Sequence, residues 1–195
     1  VELYHPDNRN FADRGCDLEG FFELLKTLTS AVWGDNWGLL CDDEPTHADP
    51  ENIKPPIIAY DVIRREPNKD FSPNGPRHVL KYTNPDRPGE IIEHWKQRFD
   101  CIVRFEIWAN TNKECRMWGR RFEELMLTYT GFFKQMGIQF VSFRGDGIDA
   151  TSSPRRQGLV SKVLRYYILE EHTIVVHQKA TDEVIEKVKL LINRA

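Results

Sequence analysis

Long apolar runs are missing from this 195-residue chain, and no stretch approaches the roughly 20 residues of a membrane-spanning helix. No helical membrane contact is therefore expected. Cysteine is scarce: Cys16, Cys41, Cys101 and Cys115 form no CxxC pair and have no patterned His beside them. That argues against a disulfide framework and a thiolate zinc site. Reduced thiols are expected, two of them in the core, as suits a reducing compartment. The patterns GxSxG, GxxxxGKS/T and GxGxxG, which would mark a nucleophile elbow, a phosphate loop and a dinucleotide site, are absent. Metal ligands do not converge either. His172 and His177 lie five apart, which on a strand puts them on opposite faces, and Asp146 and Asp149 lack calcium-loop spacing. Neither a catalytic role, a metal nor a cofactor is expected. The opening Val1-Glu2-Leu3-Tyr4-His5-Pro6 is no secretory signal, and the lack of an initiator Met reads as processing or trimming. Without such a signal, the adhesion tripeptide Arg144-Gly145-Asp146 reads as a chance match.

What the chain does have is enough apolar residue for a core, 40%, and an uneven charge. Eleven acids against three bases put residues 1–50 at −8, which leaves +5 for the remainder of a chain whose net charge is −3. Asp42-Asp43-Glu44 is the densest acidic run and a candidate interface between copies. A solvated acidic face is the plainer alternative.

Periodicity supplies the elements. Leu18, Phe21, Phe22, Leu25, Leu28 and Val32 make one helical stripe after Asp17 as N-cap, and Gly34 stops it. Residues 34–56, acidic and rich in turn residues, read as a loop. Ile57 to Arg65 and Arg77 to Thr83 read as strands joined across a proline-rich connection. From Phe99 to Ala109, apolar residues alternate with Asp100, Arg104 and Glu106, the pattern of a half-buried strand. Cys115, Trp118, Phe122, Leu125, Tyr129, Phe132 and Met136 then form one stripe of a long central helix, 112–136, capped by Thr111 or Asn112 and closed by Gly137. Arg116, Arg120, Arg121, Glu123, Glu124 and Lys134 fall between them as a wet face. Ile138 to Arg144 reads as a strand and 145–158 as a long loop. Leu159 to Gln178 reads as one strand or a bent pair broken at Glu170-Glu171, and Thr181 caps a C-terminal helix, 181–193. Strands and helices do not alternate as in βαβ units. The expectation is therefore an α+β fold, a mainly antiparallel sheet flanked by helices, in a single domain over 1–195 with an N-terminal arm at 1–16.

Two further features point to surfaces. Trp108 falls on the polar face of its strand beside Glu106 and Asn110, where an exposed Trp suggests an interface, and a second layer of the core is the alternative. Arg155 and Arg156 lie in a basic loop that offers a contact to phosphate or to an acidic neighbour, and a solvated loop is the plainer alternative. A remainder at only +5, with no aromatics between those arginines, argues against a dedicated nucleic-acid binder.

The element order, Pro55-Pro56-Ile57-Ile58-Ala59-Tyr60-Asp61-Val62-Ile63, and the run from Arg104-Phe105-Glu106-Ile107-Trp108-Ala109 into Phe122-Glu123-Glu124-Leu125-Met126 together resemble the tail terminator and neck proteins of tailed bacteriophages. The resemblance covers roughly residues 15–180. It implies a small α+β fold and a structural virion protein, assembled in the host cytoplasm, whose copies form a homo-hexameric ring. It also implies as partners the tail tube, a head-closure or neck protein and, in contractile tails, the last sheath layer, with Arg144, Arg155 and Arg156 as candidate contacts to the channel, the tube or passing DNA. The family offers no catalytic residues to carry over. The 34–56 insertion and the helix after Thr181 depart from a minimal terminator, which keeps head closure or sheath completion open as other neck roles.

Overall fold

The computed structural model describes residues 15–42, 56–71, 75–87, 89–147 and 159–178. Helix α1 spans Leu18–Trp33 because an apolar stripe meets two stop signals. Asp17 Oδ1 accepts the Gly20 amide at 2.9 Å, and the chain turns out at Gly34, φ +83°. Helix α2, Asn112–Thr128, starts where Thr111 accepts the Glu114 amide at 3.2 Å. The long central helix is corrected at Tyr129, which separates α2 from the short α3, Thr130–Gln135. There the Thr130 hydroxyl donates to the carbonyls of Met126 and Leu127 and competes with the regular ladder. Gly137, at φ +103°, ends the pair.

Among the described residues, six strands form a mainly antiparallel sheet: β1 Leu39–Asp42, β2 Ile57–Pro67, β3 Arg77–Thr83, β4 Ile91–Ala109, β5 Phe140–Gly147 and β6 Val160–His177. Their order is β1-β2-β4-β6-β5, with β3 pairing β4 off this path. The α+β expectation is met. Two local readings are corrected. The 34–56 segment contains β1, which runs parallel to β2 from Leu39↔Ile57 to Asp42↔Tyr60. Residues 145–147 continue β5 past a bulge between Phe143 and Gly145 instead of opening a loop. Of the two readings open for 159–178, the single strand holds, and Glu170-Glu171 lie buried within β6. The remainder of the 145–158 loop, the N-terminal arm before Gly15 and the 181–193 helix lie outside the described residues.

Two compact units emerge, Val1–Glu66 with Phe99–Glu171, and Pro67–Arg98 with His172–Ala195. In the first, the three helices share one core with alternate residues of the sheet. Phe22 stacks on Tyr60 at 4.0 Å between centroids, Phe105 meets Phe122 at 4.8 Å, and Phe21 meets Phe133 at 5.3 Å. Glu170 ties this layer together. Its carboxylate, 1% exposed, accepts the Leu18 amide at 2.7 Å and Arg65 Nε at 2.5 Å. In the second unit, β3 lies antiparallel on β4 from Arg77↔Lys96 to Thr83↔Ile91 and is exposed along all seven residues. Asn84 and His177 hold Glu90 there, and Gln178 donates to Glu93 at 2.8 Å.

Candidate functional site

Helix α2 buries Cys115, Gly119, Phe122, Leu125 and Met126, which leaves Lys113, Arg116, Met117, Arg120, Arg121 and Glu124 on its other side. Those six line an open groove of about 600 Å³. Among the described residues no carboxylate pairs with Lys113, Arg116 or Arg120. The Arg121 guanidinium sits 4.9 Å over the Trp118 ring. Trp118 in turn packs edge-on against Trp33 at 5.3 Å and tilted against Trp37 at 5.8 Å. The turn after α1 makes this cluster, since Trp37 folds back to 4.7 Å from Trp33. Gly38 permits that turn: a Cβ there would stand 2.2 Å from the Pro56 carbonyl oxygen.

The other basic side chain against α2 is already neutralised. Lys162 runs its stem over Gly119, and its ammonium meets Glu123 at 3.0 Å and Asp146 at 3.8 Å. Beside it lies a second, apolar groove of about 200 Å³, lined by Glu123, Met126, Leu127, Thr130, Val141, Phe143 and Tyr166. Leu127 is 79% exposed, and Phe143 and Phe140 on the edge strand β5 are 46% and 43% exposed. Burial pushes the Tyr166 phenol well up from its ordinary value.

The residues singled out in the sequence are scattered. Asp42 ends β1, exposed, while Asp43, Glu44, Arg155 and Arg156 lie outside the described residues. Arg144 is exposed on β5 with its guanidinium 4.8 Å over the Tyr167 ring. Tyr167 donates to the Asp100 carboxylate, and burial together with that bond pushes its phenol up to about 12. Trp108 is corrected from exposed to buried, at 2%. The last five residues of β4 are all buried, and Ile57, Ala59 and Val163 are buried with Trp108 outside the main core cluster. Glu106, on the same face of the strand, is buried as well, so both faces are covered at this end of the sheet and alternation no longer reports exposure. None of the four cysteines forms a disulfide. Burial raises Cys101 to about 12 and Cys115 to about 11. No group of three His, Cys, Asp or Glu among the described residues can hold a metal ion.

Charges three and four apart on α2 were visible in the sequence. That Lys113, Arg116 and Arg120 have no carboxylate partner among the described residues was not, because such neighbours come from other elements. No protein-family model matches the chain, and no curated protein matches it.

Proposed function

We propose that this chain is a structural, non-catalytic virion protein of the tail-terminator type, acting as a hexameric ring that ends the tail tube and joins it to the head or neck. The observation that carries the reading is the β5 edge. Phe143, almost half exposed on β5, lines an apolar groove with the exposed Leu127, Phe140 on the same strand is about as exposed, and among the described residues β5 pairs only with β6. An apolar edge of this kind invites pairing with another chain. A ring is the closed way to satisfy it, since each copy presents one patch to a different patch on the next. The mainly antiparallel sheet flanked by helices agrees with the fold that the resemblance implies. Among the described residues no helix is long and apolar enough to cross a membrane.

The test adds purified protein to polymerising tail tube protein and follows tube length and ends by negative-stain imaging, with light scattering for mass. Rings on tube ends and arrested growth are expected, and both should be lost in Leu127→Asp/Phe143→Asp. Protein that neither forms rings nor halts tube growth refutes the reading. Rings that bind the head connector and ignore the tube move the assignment to head closure, and rings that bind only sheath move it to sheath completion.

A further inference from the structure

We propose that the basic face of α2 receives the acidic segment 42–51 of a second copy, an assignment that rests on the ring reading and names one of its contacts. Lys113, Arg116 and Arg120 repeat at three and four residues along one exposed side of α2, and Arg121 flanks them over Trp118. Such a row costs the free helix stability. Like charges at these spacings repel, and Lys113 and Arg116 sit near the positive end of the helix dipole. Lys162, against the same helix, has Glu123 and Asp146 as counter-charges, whereas the outer three have no described carboxylate. An anion bound from outside removes both penalties.

The chain carries a matching anion. Residues 42–51 read Asp-Asp-Glu-Pro-Thr-His-Ala-Asp-Pro-Glu, five carboxylates with no Lys or Arg. Extended, ten residues reach about 33 Å, more than the roughly 12 Å that the basic row covers along α2. Asp42, where the segment begins, is exposed and makes no ion pair among the described residues, so its carboxylate is open to a second copy. Nucleic acid is the weaker fit, because the whole chain is at −3 and its first 50 residues at −8. Pairing one patch with a different patch is also the heterologous contact that a ring requires.

Two reversed full-length chains test this, Lys113→Glu/Arg116→Glu/Arg120→Glu and Asp42→Lys/Asp43→Lys/Glu44→Lys. Self-association is followed by sedimentation velocity at low and high salt, with circular dichroism to confirm folding. Each variant alone should associate about tenfold to a hundredfold more weakly than the parent at low salt. An equimolar mixture should recover, since each reversed surface then meets its opposite. The Gln triple variant of the three cations should fall between, and it serves if the Glu variant does not fold. Both variants associating like the parent overturns the pairing and leaves the ring intact. Loss in each without recovery in the mixture overturns it as well. So does unchanged mass with lowered thermal stability in both, which means docking within one chain. Steeply salt-dependent binding of duplex DNA, abolished by the α2 reversal, reassigns the face to nucleic acid. A parent and a mixture that both stay monomeric at low salt also overturn the pairing, and the tube-capping assay then judges the ring separately.

Discussion

Removing Arg65 should harm this protein more than removing the charge of its partner Glu170. The two form one contact, but their surroundings differ. The Arg65 side chain is 43% exposed, and that of Glu170 is 1% exposed. In Glu170→Gln the guanidinium is left to water, and the loss is one charge-assisted hydrogen bond plus the carboxylate at the N-terminus of α1. That is about 2 kcal/mol. In Arg65→Met the apolar contact to the Phe99 ring, 3.7 Å from the guanidinium carbon, is largely kept. The buried carboxylate, however, keeps a single described donor, the Leu18 amide at 2.7 Å. Stranding a buried charge costs about 3–5 kcal/mol. The double variant Arg65→Met/Glu170→Gln should then be more stable than Arg65→Met alone, because the stranded charge is gone. Urea unfolding reads all three. With a slope of about 2 kcal/mol per molar, Glu170→Gln should lower the midpoint by about 1 M and Arg65→Met by about 2 M. Glu170→Gln costing as much as Arg65→Met, or a double variant no better than Arg65→Met, would refute the burial asymmetry on which the reasoning rests.

Further outcomes follow from other positions. Trp108→Ala should destabilise by about 3–5 kcal/mol in a thermal or urea melt, as for any large core residue, and a variant within 1 kcal/mol of the parent would contradict its burial. Cys101 and Cys115, pushed up to about 12 and about 11 by burial, should react with an aromatic disulfide at pH 8 some two to three orders of magnitude more slowly than a free thiol, and should reach full reactivity only in denaturant. The Tyr167 phenol is raised to about 12, so its neutral form is favoured in the fold. Its contribution should be complete below about pH 10, the unfolded value, and lost as pH rises toward 12. Tyr167→Phe should remove that slope from an alkaline stability profile, and an unchanged slope would show that other groups cause it. Gly38→Ala should destabilise the turn that seats Trp37, read as a shift in Trp fluorescence, since the new Cβ meets the Pro56 carbonyl and φ is +153°.

The sequence by itself determined what depends on near neighbours. The α1 stripe lies between Asp17 and Gly34, β3 keeps its bounds from Arg77 to Thr83, and the apolar stripe of α2 faces the core as its spacing requires. These follow because a period of 3.6 or 2 records which side of an element leaves water. The α+β class follows from the order of such elements. The proposed surfaces were legible only in part: the α2 charges were visible as a wet face, while the apolar β5 edge was not. Only the tertiary structure decided the remainder. Leu39–Asp42 is a strand because β2 supplies its ladder from Ile57 onward, not because its own residues demand it. Whether β6 breaks at Glu170 was left open by the sequence, and the residue is a buried anchor within one strand, since its solvation is replaced by Leu18, 152 residues away in sequence, and Arg65, 105 residues away. Trp108 alternates onto a polar face and is buried because the end of the sheet is covered on both sides. Burial, pairing and free charge are properties of neighbours brought together across the chain, and a local pattern carries no record of which neighbours those are.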